Sequence, residues 1–301
     1  MAAPKRLIRM SSNEETLVLQ YHHPDDRRYS IEFITNDREE CVRRADAYTD
    51  KEHVTLKLRV EQIGDELIYL IYTWESYDAG LPDSDDNGVE WILENFTQRS
   101  AVVVSTVLDI FDGILEEKVD QGNEFRTYKG IHLDRVPDVL SRVQWKQPVP
   151  DVAAELLSNF VLIHPMPNTN HRTAIGLVDR YLTSYDADFE MPDTGEEGEW
   201  YNWIAGFIYD SKRILTLRNH LALFRWAEHY GYGAVERKEG IVISFDDVDL
   251  DRRGHHEYYT QRHREKTREF VRRLLEEADV THLREVTDDG RRAFIDRLQA
   301  E

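Results

Sequence analysis

The stretch HPMPNTNHR, residues 164–172, sets two histidines, two asparagines and an arginine between the apolar runs AAELLSNFVLI and TAIGLVDRYL. His164 can take a proton from a hydroxyl near neutral pH. If a helix begins between Thr169 and His171, its first N–H groups lack intrahelical partners and form an anion cradle. The helix dipole and Arg172 add positive charge there. Asn168 or Asn170 offers an amide that can orient a phosphate or help hold a hydrated Mg²⁺. Base, cradle and cation together describe phosphoryl or nucleotidyl transfer, where positioning and charge stabilisation carry the catalysis. The same residues also suit a plain corner. A histidine favours a helix C-terminus, Pro165 and Pro167 stop the helix, and Asn168 or Thr169 caps the next one.

Two helices must position this hinge. Pro148 and Pro150 precede DVAAELLSNFVLI as a helix start, and the second helix runs to about Tyr185. Upstream, the apolar spacing from Val89 to Val119 predicts a long helix or two in sequence, after which Gly122 and Gly130 bend QGNEFRTYKGIHLD into a short hairpin or loop. Downstream come an aromatic-rich helix pair over 200–233 and a short hairpin around ERKEG. A charged helix, RHREKTREFVRRLLEEA, follows, with Phe270, Val271, Leu274 and Leu275 as its core stripe. The first part reads as α+β. TLVLQYHH and YSIEFIT flank the turn PDDRR, and NDREECVRRADAY is a short helix. Val54, Leu56, Leu58 and Val60 alternate in a hairpin with one buried face. The acidic stretch ESYDAGLPDSDDNG reads as a linker and places a boundary near residue 87, dividing 1–86 from 87–301.

Composition narrows the function classes. A chain of 301 residues with 41% hydrophobic content supports a sizeable core. No apolar run approaches the roughly 20 residues of a membrane span, and MAAPKRLIRMSSNEET lacks a secretory apolar segment, so a cytoplasmic location without a membrane partner is expected. The single Cys41 excludes an intramolecular disulfide and a cysteine zinc site. A net charge of −20 disfavours nucleic acid as a partner. The acidic excess, with 9 Lys against 29 Arg, suggests adaptation to a salt-rich cytosol.

HPMPNTNHRTA resembles the signature of the Fic/Doc (Fido) family, HxFx[D/E]GN[G/K]R, and in particular its Doc-like form HxFx[D/N][A/G]NKRTA. His164, Asn170 and Arg172 match, Asn168 is allowed in the Doc form, and Thr173 and Ala174 continue it. GNEFRTYKGIHL stands where the family has a β-hairpin flap of pattern GKxRTxxVxI, with Arg126 and Thr127 in register. The resemblance covers about residues 88–190. It implies a mainly α fold, a Fido helical domain with a short β-hairpin flap; the small α+β N-terminal region that precedes it, residues 1–86, lies outside the resemblance and is expected to bind a target or partner. It implies His164 as general base, Thr169, Asn170, His171 and Arg172 as phosphate-binding residues, and Asn168 in the metal position. The flap residues Arg126, Thr127, Tyr128, Lys129 and Ile131 would dock a target segment by main-chain pairing.

The implied activity moves AMP or a phosphoryl group from ATP or another nucleoside triphosphate, with Mg²⁺, to a Ser, Thr or Tyr hydroxyl of a protein. Such a transferase can be the toxin of a pair with a separate antitoxin. Met166 replaces the usual Phe, and Thr169 and His171 make the cradle bulkier. A protonated His171 would stand in for the Lys of Doc-type members. Asn168 replaces a metal-binding carboxylate. These departures motivate the alternative, a catalytically degenerate Fido domain that binds nucleotide or protein. The family's inhibitory pattern [S/T]xxxE[G/N] is matched in spacing, without its last residue, by Thr281–Glu285 and by Ser11–Glu15.

Overall fold

Apolar alternation and turn chemistry build the N-terminal sheet as the sequence predicts. The computed structural model describes residues 16–75, 91–92, 94–122, 131–192, 199–237 and 240–300, with backbone only at 199–202. Strands β2 (His22–His23), β3 (Asp26–Thr35), β4 (Val54–Ile63) and β5 (Glu66–Glu75) form an antiparallel sheet in the order β2-β3-β5-β4. Ile63 pairs with Glu66 across a two-residue turn in which Gly64 takes φ 60°, a left-handed value that suits glycine. Helix α1 (Arg38–Thr49) starts where the Asp37 carboxylate accepts hydrogen bonds from the Glu39 and Glu40 amides. One expectation for the hairpin is corrected. Leu58 and Val60 are each 52% exposed: they pair with Ile71 and Tyr69, on the face opposite the buried Ile68, Leu70 and Tyr72 of β5.

A second sheet joins distant parts of the chain. Strand β1 (Val18–Gln20) runs parallel to β6 (Ala234–Arg237), which pairs antiparallel with β7 (Ile241–Ser244) in the hairpin expected around ERKEG. Tyr21 stitches the sheets together: its amide donates to the Glu236 carbonyl at 2.8 Å and its carbonyl accepts from the Ile31 amide at 2.8 Å. Leu19, Ile31, Leu70 and Tyr72 then share one core with Leu221, Phe224, Val235 and Ile243. The apolar face of the N-terminal segment is therefore covered by residues beyond 214. The boundary placed near residue 87 falls outside the described residues.

The protein is mainly α-helical. After helical residues 91–92 and 94–95, the Thr97 hydroxyl caps α2 (Gln98–Asp120). There follow α3 (Val136–Ser141), α4 (Val149–Ile163), α5 (Asn170–Thr183), α6 (Glu199–His229), α7 (His255–Glu277) and α8 (Arg291–Leu298). Helix α4 is central. It is buried from Val149 to Val161, and its polar side chains are paired, with the Glu155 carboxylate accepting from the Gln144 amide at 2.6 Å. The expected helix pair at 200–233 is one continuous helix, since no proline interrupts it and Gly206 alone does not stop it. At about 1.5 Å per residue α6 is long enough to serve both cores. Phe207 and Leu215 pack in the helical core, and Leu217, Leu221 and Phe224 in the sheet core. Gly176 lets α5 lie close against α2, where an added Cβ would come within 2.6 Å of Ile110 Cγ2. The stripe Phe270, Val271, Leu274 and Leu275 of α7 is buried as expected. Among the described residues no helix is long and apolar enough to cross a membrane.

Candidate functional site

The hinge between α4 and α5 opens onto a cleft of about 610 Å³ at the junction of the two cores. Six of the residues singled out from sequence line it together: His164, Asn168, Thr169, Asn170, His171 and Arg172. His164 is the last residue of the α4 turn, with φ 58° and ψ 57°, and its amide donates to the Phe160 carbonyl at 2.8 Å. Pro165, Met166 and Pro167 are buried, and Met166 anchors the loop in the core as expected. The His132 amide donates to the Pro165 carbonyl at 2.8 Å, which ties the end of the flap segment to the hinge. Ile131 packs on the core beside it. Arg126, Thr127, Tyr128 and Lys129 lie outside the described residues.

Asn170 takes a role other than the expected phosphate contact. Its Oδ1 accepts from the Met166 amide at 2.9 Å and its Nδ2 donates to the Met166 carbonyl at 2.8 Å. An amide four residues from the backbone it clasps fixes the loop and has little left for a ligand. Asn168 is similarly turned inward, its Oδ1 accepting from the Thr169 amide at 2.7 Å. Among the described residues the lining holds no Asp or Glu, and no group of three metal-ligating side chains forms. This donor set does not suit a divalent ion held by protein side chains, so the expected Mg²⁺ position at Asn168 has no geometric support.

Thr169 sits at the N-cap of α5 with φ 55° and ψ 17°, an unfavourable conformation for a β-branched residue. It supplies no side-chain cap, and its Oγ1 is buried without a hydrogen-bond partner. The first amides of α5 therefore lack the side-chain acceptor that a capped corner would provide. Thr169→Gly is expected to stabilise the protein by roughly 1 kcal/mol through relief of the left-handed backbone. Urea unfolding checks this, and a loss of stability would show that the threonine packs to advantage.

His171 is buried and joined to a chain of hydrogen bonds that sequence reading missed. Its Nε2 lies 2.8 Å from the Ser211 hydroxyl, Ser211 lies 2.7 Å from His263 Nε2, and His263 Nδ1 lies 2.9 Å from the Ser158 hydroxyl. Burial lowers the His171 pKa well below the usual histidine value, with further lowering from His164, His263, Lys212 and Arg237. The expected protonated His171 is thus corrected to a neutral imidazole. Neutral His171 and His263 allow two proton orders along this chain. Either His171 Nε2–H donates toward Ser211, or the series runs in reverse and His171 keeps its proton on Nδ1.

Arg172 is exposed and its Nη2 pairs with the Glu117 carboxylate at 2.5 Å. A surface pair of this kind contributes roughly 0–1 kcal/mol and is readily exchanged for a phosphate. Thr281–Glu285, the pattern with inhibitory spacing, forms a short 3-10 helix against α4 and α7, and Glu285 is absent from the cleft lining. Ser11–Glu15 lies outside the described residues.

The remaining cations of the cleft come from elements remote in sequence: Arg28 on β3, Lys118 at the end of α2, Lys212 on α6 and Arg237 on β6. No local motif announces them, since Arg28 and Arg237 reach the hinge through the packing of the sheets on α6, and Lys118 through the packing of α2 on α5. With a net charge of −20 on the whole chain, a lining whose described residues supply five cationic side chains and no carboxylate is an arrangement against the average. A family model described as a family of unknown function, DUF8172, matches residues 15–301, a span that takes in both cores. No curated protein and no solved structure matches the chain.

Proposed function

We propose that this chain, which belongs to the DUF8172 family, binds the phosphates of a nucleoside triphosphate in the hinge cleft and transfers AMP or a phosphoryl group to a protein hydroxyl. The observation that carries the proposal is a lining without a carboxylate among the described residues, where His164, the uncapped start of α5 and the cations Arg28, Lys118, Arg172, Lys212 and Arg237 meet. Its volume of about 610 Å³ suits a nucleotide-sized ligand. His164 takes the proton of the attacking hydroxyl. The hydroxyl oxygen forms a bond to the α or γ phosphorus, and the bond to pyrophosphate or to ADP breaks. The α5 amides and the arginines stabilise the charge that develops on the phosphoryl oxygens. This is the chemistry of a Fic/Doc-like transferase, and an antitoxin partner belongs to the same proposal.

A second reading has its own observations. Asn168 and Asn170 spend amide groups on the loop, Arg172 is engaged by Glu117, and among the described residues the cleft has no metal-binding carboxylate. These favour a module that binds nucleotide without turning it over. ATP labelled at the α or the γ phosphate, incubated with the protein and a cell lysate, separates the two. Label on a protein band establishes transfer and identifies which phosphate moves. ATP binding without label assigns the binding module, and absence of ATP binding overturns both.

A further inference from the structure

We infer that Arg237 forms a second anion subsite in the cleft, built to receive a phosphate of a polyphosphate chain distinct from the one at the start of α5. The inference rests on the polyphosphate ligand proposed above and names a residue outside the hinge as its recognition element. Arg237 ends β6, and the pairing of β6 with β1 and β7 fixes its backbone. Its Nη1 donates to the Thr216 hydroxyl at 2.7 Å and to the Lys212 carbonyl at 3.1 Å, both on α6. Its guanidinium carbon lies 5.0 Å from the centre of the Tyr21 ring, and the Tyr21 hydroxyl is 2.8 Å from His220 Nε2. Every one of these partners is uncharged.

Among the described residues no carboxylate lies within ion-pairing distance of Arg237, and its Nε is buried with no hydrogen-bond partner. In a chain with 58 acidic residues, a partly buried guanidinium held only by neutral groups is a conspicuous omission. Clamping on α6 and stacking on Tyr21 preorganise the fork that matches phosphate oxygens. A half-buried cation without a counter-ion destabilises the empty protein, and an anion entering the cleft removes that penalty. Arg28 and Arg172 differ in this respect. Asp26 holds Arg28 by two hydrogen bonds and Glu117 holds Arg172, so each must exchange a carboxylate for the ligand.

Calorimetric titration of inorganic tripolyphosphate into the full chain tests the subsite, with ATP and adenosine as parallel ligands. Wild type is expected to bind tripolyphosphate and ATP but not adenosine at comparable strength. Arg237→Gln is expected to weaken tripolyphosphate roughly ten- to hundredfold, while the melting temperature of the ligand-free protein stays level or rises. Unchanged affinity in Arg237→Gln, or no tripolyphosphate binding by wild type, overturns the inference. Should Arg237→Gln fail to fold, Arg237→Lys decides. A lysine keeps the charge but not the fork, so weaker binding supports the subsite and equal binding overturns it. Label transfer with affinity unaffected by Arg237 would retain the transferase and remove the subsite. Arg237-dependent binding without transfer would do the opposite.

Discussion

Replacing His164 with glycine is expected to lower transfer by about 10²- to 10⁴-fold while leaving the protein as stable as the parent or more so. The two effects separate because His164 occupies a left-handed position, φ 58° and ψ 57°, at the end of α4. An L-residue there costs roughly 1–2 kcal/mol that glycine does not incur, and glycine is the residue that helix ends of this shape favour. A histidine in that place bears a backbone cost that a plain corner would have no reason to carry, which points to use of its ring. His164→Ala keeps the strain and removes the ring, so it should lose transfer equally and sit below the glycine variant in stability. Label transfer from ATP and urea unfolding, measured on both variants, provide the check. Full transfer by either variant would remove His164 from the chemistry. A loss of several kcal/mol in His164→Gly would make the imidazole a packing element.

Much of the frame was legible because it rests on local rules. The prolines before α4, the hinge, the α7 core stripe and the β4–β5 and β6–β7 hairpins follow from periodicity and turn residues, and each appears where expected. The hinge residues were legible as a group for the same reason, since nine consecutive residues cannot be far apart. Their individual roles were not. Asn170 reads as a ligand amide until the buried loop shows that the Met166 backbone needs both ends of it. His171 reads as a candidate cation until Ser211 and His263, 40 and 52 residues further along in successive steps, close over it. Arg237 and Lys212 carry no signal at all in sequence, because their place in the cleft is a product of β1 pairing with β6 and of α6 crossing both cores. The exposed Leu58 and Val60 show the converse limit: alternation marks a strand but does not say how far the sheet is covered.

The buried histidines make stability depend on pH in a definite direction. Burial lowers His263 to about 3 and, with the charge of Arg237, His220 to about 4, whereas in the unfolded chain a histidine titrates at 6.5. Arg218 adds to the lowering at His263. Below pH 6.5 the unfolded chain therefore binds protons that the folded chain refuses, so stability is full above that pH and falls as the pH drops toward 4 and 3. At pH 5 each of these two histidines favours the unfolded chain by about 2 kcal/mol, together about 4 kcal/mol, a substantial part of a typical domain's stability. His171 acts in the same direction. Glu32 and Asp112, raised by burial, act in the opposite direction. Urea unfolding at pH 7.5 and pH 5 should show this loss, and His263→Gln, which can still bond Ser211 without titrating, should reduce the difference by about 2 kcal/mol. Equal stability at the two pH values would mean that the hydrogen-bond chain from Ser158 to His171 accepts a proton in the folded state, and the neutral histidine at the cleft would have to be given up.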